Sequence, residues 1–177
     1  MSVFTDVKSR AAELARAEKE RYSGGEERPL GGYLAAMGAY VTVTGSLVLA
    51  ARLTRRQVPA GLGIADVLLS AVATHKLSRV IAKDPVTSPL RAPFTRYQGQ
   101  SGPAELKEEV RGTGARKTVG ELLTCPFCID MWVATGLVAG FVFLPRTTRL
   151  ATQTLAVLAG ADFLQFGYSL VEEKQQS

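Results

Sequence analysis

The groups most open to specific chemistry are two thiols and one imidazole, and the thiols lie close together in Thr124-Cys125-Pro126-Phe127-Cys128. Residues three apart share a face of an α-helix. Pro126 suits a first helical turn and Thr124 suits the cap before it. Cys125 would then sit at the positive end of a helix dipole, which favours a thiolate. Three chemistries remain open: an inert structural pair, a thiol–disulfide couple, or part of a zinc site. Thiol–disulfide enzymes carry such a pair on a βαβ unit, and no such pattern flanks this one. Structural zinc takes four ligands, so Cys125 and Cys128 would need His75 as a third, or a second chain pooling its own pair.

The remaining candidates are ionisable residues inside apolar stretches. Asp66, Lys76 and Arg79 accompany His75 in one stretch, while Asp130 and Asp162 are the lone charges of two others. Charged groups within a membrane segment point by default to function, unless they pair with one another. Ion pairing of His75, Lys76 and Arg79 with Asp130 and Asp162 is the plainer account, and a proton or ion pathway the sharper one. A single histidine excludes Ser-His-Asp triads and His-pair metalloenzymes in their usual form.

A third constellation is Lys83-Asp84-Pro85-Val86-Thr87-Ser88-Pro89-Leu90-Arg91-Ala92-Pro93-Phe94. Its regularly spaced prolines argue against regular helix and for an extended path with turns. Asp84, Pro85, Ser88, Pro89, Arg91, Pro93 and Phe94 are the candidate interaction loop, against the alternative of a stiff connector. Glu105 to Val110 reads as a helical turn. Arg111-Gly112-Thr113-Gly114-Ala115-Arg116-Lys117-Thr118 has the flavour of a phosphate loop. It lacks Gly before Lys117 and shows no preceding strand, so a basic turn near lipid headgroups fits better.

The elements that must hold these residues are apolar helices. Residues 30–51 carry no charge and are long enough to cross a bilayer core, which takes about 20 residues of helix. Residues 62–82, 122–144 and 150–171 follow as three further spans. The second is the weakest because of its charges, although those lie toward its ends, where long side chains can reach the interface. The expected fold class is therefore all-α: a membrane-embedded bundle of four helices. Residues 1–29 form a charged helical arm with Phe4, Val7, Ala11 and Leu14 on one face. Residues 30–171 form the membrane domain, with 83–120 as its cytoplasmic loop, and 172–177 a polar tail.

Charge supports that plan. The chain has 177 residues, a net charge of +5 and 46% hydrophobic residues. Its basic residues flank apolar segments and do not interleave with aromatics, which speaks for an anionic membrane surface and against nucleic acid. With both termini cytoplasmic, fourteen of the Lys and Arg residues outside the spans lie inside and five lie outside, at Arg52, Arg55, Arg56, Arg146 and Arg149. That asymmetry obeys the positive-inside rule. No secretory leader is read in the charged residues 1–29.

Asp66, Ala73-Thr74-His75-Lys76-Leu77-Ser78-Arg79, the 83–94 motif, Gly120-Glu121-Leu122-Leu123-Thr124-Cys125-Pro126-Phe127-Cys128 and Trp132 occur in an order and spacing that resembles the bacterial membrane family catalogued as domain of unknown function 1360. The resemblance covers roughly residues 64–144 and leaves the arm and first span outside. It implies a membrane protein of spore-forming firmicutes or actinomycetes, and supplies no activity or catalytic residue. The expectation is a multi-pass protein of the bacterial cell membrane, more structural than enzymatic. Its partners would be the bilayer and, at the cytoplasmic face, a homo-oligomer or protein partner. No cofactor is expected, zinc at the cysteine pair being the alternative, as is thiol–disulfide chemistry there; a small transporter or channel is the remaining reading.

Overall fold

A computed structural model describes residues 2–24, 28–59 and 61–176, and it is mostly helical. The first helix, α1 (Ser2–Ser23), is built from good helix formers, and its Val7 and Leu14 are exposed. The side chains of Phe4 and Ala11, and residues Gly25 and Ser177, lie outside the described residues.

Helix α2 (Leu30–Leu53) stays uncharged until its last turn. It stops because Arg55 takes a left-handed conformation, φ 50°, which turns the Arg56 amide back onto the Ala51 carbonyl at 2.9 Å. Helix α3 (Ile64–Lys83) presents the small buried residues Ala73, Ser78 and Ala82, and it packs against the two last helices. Small side chains let helix backbones approach closely. Helix α6 (Pro126–Phe143) and helix α7 (Pro145–Gln176) are separated by Leu144 alone. Their junction is tight: a Cβ on Gly140 would come within 2.5 Å of Thr148 Oγ1.

Side-chain contacts fix the helix directions. Tyr33 of α2 meets Glu121, ahead of α6, and Tyr40 meets Thr135 within α6, so α2 runs in the same sense as the chain does from Glu121 to Thr135. Asp66 and Lys76 of α3 meet Arg149 and Asp162, so α3 runs in the same sense as α7. Since α6 turns back into α7, helices α2, α3, α6 and α7 alternate in direction.

Between α3 and α6 the chain departs from the all-α expectation. A 3-10 turn (Pro85–Thr87) and the short helix α4 (Ser88–Arg91) are followed by strands β1 (Thr95–Gly102) and β2 (Glu105–Val110) and by helix α5 (Gly114–Thr124). The strands form an antiparallel hairpin with Thr95 opposite Val110 and Tyr97 opposite Glu108, interrupted by irregularities around Gly99 and Gly102. Glu105 to Val110 is thus a strand, not a helical turn, and a strand does precede the Gly112–Gly114 loop. The prolines do not enforce extended backbone either. Pro85 and Pro89 occupy first-turn positions of the two short helices, where the missing N–H costs nothing.

Boundaries shift for similar reasons. The span expected at 122–144 starts at Pro126, because Cys125 breaks the helix into α5 and α6 with extended dihedrals. The one expected at 150–171 starts at Pro145, which is the first residue of α7. Among the described residues, three helices, Leu30–Leu53, Pro126–Phe143 and Pro145–Gln175, are long and apolar enough to cross a membrane. Helix α3 falls short of that apolarity because Asp66, Lys76, Arg79 and Lys83 lie in it.

Candidate functional site

The polar residues singled out by sequence gather mainly at one end of the bundle, where α3 ends and α5 and α6 begin. The 83–94 motif is organised around Arg91, whose side chain has no solvent exposure. Its Nη1 donates to the Ile81 carbonyl and to Thr87 Oγ1, both at 2.7 Å, and its Nη2 donates to the Asp84 carbonyl at 3.0 Å. Its Nε pairs with Glu108 of β2, itself only 6% exposed. The last carbonyls of a helix have no partner within it. One guanidinium therefore caps the end of α3 and ties it to the hairpin.

The neighbours complete this buckle. Thr87 Oγ1 donates to the Val80 carbonyl at 2.5 Å, and Asp84 Oδ1 accepts the Val86 amide at 2.8 Å. Thr95 Oγ1 donates to the Arg91 carbonyl at 3.0 Å. The Pro93 carbonyl accepts from Arg116 Nε at 3.0 Å, and the Phe94 carbonyl accepts the Arg111 amide at 2.9 Å, so α5 is held to the same loop. Polar groups at Asp84, Arg91, Pro93 and Phe94 are all taken up by hydrogen bonds within the loop or to its neighbours. Pro85, Val86, Pro89 and Leu90 face outward, with Val86 85% and Leu90 63% exposed. Ser88 is half-buried, and its carbonyl accepts the Ala92 amide at 2.8 Å.

The ionisable residues of the helices form pairs, though not all those expected. Lys76 Nζ lies 2.5 Å from Asp162 Oδ2, Arg79 pairs with Glu105 of β2, and Asp66 pairs with Arg149 at 3.0 Å at the opposite end of α3. Asp130 makes no hydrogen bond or ion pair among the described residues and takes no part in compensating α3. His75, Lys76, Arg79 and Asp162 line a cleft of about 540 Å³ between α3, α7 and the hairpin turn, along with Lys83, Asp84 and Glu105.

The cysteines are joined by a disulfide with their Cα atoms 5.2 Å apart. Cys125, not Thr124, is the N-cap of α6: its Sγ accepts the Cys128 amide at 3.2 Å. Thr124 Oγ1 instead donates to the Gly120 carbonyl at 2.8 Å, inside α5. Phe127, between the cysteines, is 86% exposed. His75 lines the cleft and the cysteines do not, and no group of three His, Cys, Asp or Glu suited to a metal ion occurs among the described residues.

Several residues that sequence reasoning passed over are central here. Glu105 and Glu108 were hidden because the segment reads as helix former, although inward Leu106, Glu108 and Val110 alternate with outward Lys107 and Glu109. Tyr33 Oη donates to Glu121 Oε2 at 2.6 Å, and Tyr40 bonds Thr135 at 2.8 Å while meeting Trp132 edge-on with ring centroids 5.2 Å apart. A Cβ on Gly32 would fall 2.0 Å from Thr118 Oγ1, so α2 docks on α5 at a glycine.

A helical protein with three helices fit by length and composition to cross a membrane, and a polar buckle binding one helix end to a small hairpin, is the class that this fold and site define. The chain belongs to the family described as protein of unknown function (DUF1360), whose model matches residues 68–168. The match starts within α3 and reaches further than the resemblance in the sequence, into α7. The chain is also similar to the sporulation protein YjcA of Bacillus subtilis (strain 168), with 30% identity over 106 residues, covering 58% of this chain and 89% of that one. No solved structure matches.

Proposed function

We propose that this chain is a four-span membrane protein that acts as a non-enzymatic scaffold, presenting its 83–120 segment and the Cys125–Cys128 turn to a partner at the cytoplasmic face. The observation that carries the reading is the outward display of Val86, Leu90 and Phe127 on elements whose polar groups are taken up by hydrogen bonds. Such a surface offers apolar contact without free catalytic groups.

The fourth span is α3. At about 1.5 Å per residue its length matches a bilayer core. Its charges at Asp66, Lys76 and Arg79 each have a partner, and it alternates in direction with its neighbours. Arg149, meeting Asp66, falls on the outer side in this arrangement, while both termini and the arm 1–29 fall inside. The spore-forming context in the name of the Bacillus relative extends to this chain as part of the same reading, as a membrane component of sporulating cells.

Single cysteines placed at Gln57 and Gln100 in a chain lacking the native pair test the topology: a membrane-impermeant maleimide added to intact cells should label the first and not the second. Labelling of both from outside would refute the four-span arrangement. Crosslinking in native membranes should then trap one defined assembly through Val86 or Leu90, and a strict monomer would refute the scaffold.

A second reading has its own observation. The disulfide at the start of α6, with Cys125 Sγ accepting an amide, suits a thiol–disulfide couple whose Cys125 thiolate would be stabilised on reduction. Thiol titration across a series of redox potentials would reveal a reversible two-electron transition, and a pair that never reduces while folded would reject it.

A further inference from the structure

The cleft between α3, α7 and the hairpin turn is unexplained by a scaffold. It holds about 540 Å³, within the range of sites for small molecules. Its chemistry is divided. The α3 and hairpin sides are mainly charged, whereas α7 carries Asp162 beside Phe163 and Phe166, the two rings 67% and 49% exposed. Its rim closes with Pro103 and Ala104, and Ala104 holds a left-handed φ of 56°. A non-glycine residue there is strained and persists where its surroundings hold it. The Arg79–Glu105 pair is the contact that pins this turn against α3.

The charges are balanced in number. Lys76, Arg79 and Lys83 oppose Asp84, Glu105 and Asp162. They are not balanced in pairing. Lys76 and Arg79 are engaged, whereas Lys83 and His75 have no ion-pair partner among the described residues. Asp162 and Glu105 keep 41% and 24% of their side-chain surface exposed, so each carboxylate retains room for a second donor. A ligand suited to this cleft brings an anion for Lys83 and His75 together with a cation for Asp162 and Glu105, leaving the total unchanged. The aromatic wall asks that the same ligand have an apolar tail.

We infer that the cleft binds a zwitterionic aminophospholipid. Its phosphate faces Lys83 and His75, its ammonium donates to Asp162 and Glu105, and an acyl chain runs along Phe163 and Phe166 toward Ala159. Basic pockets between membrane helices on the cytoplasmic side bind anionic headgroups; the carboxylates interspersed here turn that preference toward a headgroup that also carries a cation. The headgroup ammonium must be able to donate hydrogen bonds, since charge-assisted bonds to carboxylates are the strong ones. This inference rests on the placement of α3 across the membrane.

The test is native mass spectrometry of the full chain released from nanodiscs containing equal phosphatidylethanolamine, phosphatidylcholine and phosphatidylglycerol. One phosphatidylethanolamine per chain should survive in preference to the other two, because one lacks ammonium N–H donors and the other lacks a cation. Lys83→Gln should lower retention by about fivefold, on the usual contribution of one basic group near a headgroup, and His75→Gln should lower it measurably through the lost hydrogen-bond contact. Phe163→Ser should lower retention without altering the preference. Water-soluble phosphorylethanolamine should compete poorly, which separates a lipid from a free phosphate ester. Equal retention of the three lipids would overturn the inference, as would retention indifferent to Lys83 and His75 or full competition by the headgroup alone. The maleimide labelling at Gln57 and Gln100 distinguishes a failed site, with topology intact, from a failed topology.

Discussion

Replacing Arg91 by Ala removes a guanidinium that makes four contacts in a site without solvent: Glu108, Thr87 Oγ1 and the carbonyls of Ile81 and Asp84. The dominant cost is the stranded Glu108 carboxylate. Breaking a buried pair by deleting one partner costs about 3–5 kcal/mol, mostly because the other charge is left uncompensated. The attachment of the hairpin to α3 should weaken by that amount, while α6 and α7, which supply none of Arg91's hydrogen-bond partners, should hold. Amide hydrogen exchange in nanodiscs reads this directly. Amides of β1 and β2 should exchange roughly two to three and a half orders of magnitude faster, from about 1.4 kcal/mol per decade, with little change in α6 and α7. A second substitution separates charge from shape. Arg91→Met combined with Glu108→Leu removes both charges and should recover much of the loss, but not the share owed to the Ile81 and Asp84 carbonyls. Exchange faster by less than tenfold, or acceleration spread evenly over all helices, would refute the view of Arg91 as a local buckle.

Gly32→Ala should undock α2 from α5 at a cost of about 1–3 kcal/mol, since its Cβ would overlap Thr118; thermal unfolding in detergent should drop, and Thr118→Ala should restore part of it. Gly120→Ala places a Cβ 2.6 Å from Val110 Cγ1 and 3.2 Å from the Phe94 backbone oxygen, so hairpin amides should exchange faster by a similar free energy, with only partial rescue by Val110→Ala because the backbone contact remains. Cys125→Ser should keep the cap of α6, whereas Cys125→Ala should lose about 1 kcal/mol, measured as exchange of the Cys128 amide; equal effects would deny Cys125 its capping role. Alkylation under denaturing conditions should add no label to the native pair before reduction and two after it, and labelling without reductant would contradict the disulfide.

What could be read from the sequence follows how local each cause is. The stretch 30–51 was legible because an uncharged run of that length has few other fates, and α2 extends it by one half-turn. The charges of α3 were legible as a group needing partners, and Asp162 was among the candidates named for Lys76. Glu105 was not, because its partner Arg79 lies on a helix 26 residues away and nothing local marks the meeting. The hairpin was illegible for the same reason. Glu105-Leu106-Lys107-Glu108-Glu109-Val110 is made of helix formers, and what makes it a strand is that Glu108 must reach Arg91 while Leu106 and Val110 turn inward. Proline spacing misled in the opposite direction, since Pro85 and Pro89 open short helical turns that the buckle then holds. Cys125 was assigned to the helix and its cap to Thr124, because a thiol serving as N-cap is not a pattern that residue preferences suggest.

The docking of α2 has a consequence for how this family can be built. The family match begins at residue 68, so α2 lies wholly before it, yet its tyrosines satisfy Glu121 and Thr135 inside the matched region. Without α2, Glu121 would lose its Tyr33 donor and Thr135 its Tyr40 partner. The helix thus behaves as a tethered subunit, fastened at a glycine and two hydroxyls. A chain cut before Gln57 and co-expressed with the severed 1–56 segment as a separate polypeptide should reassemble in the bilayer. Variation among homologues could then swap this helix for another chain's without rebuilding the bundle beneath it.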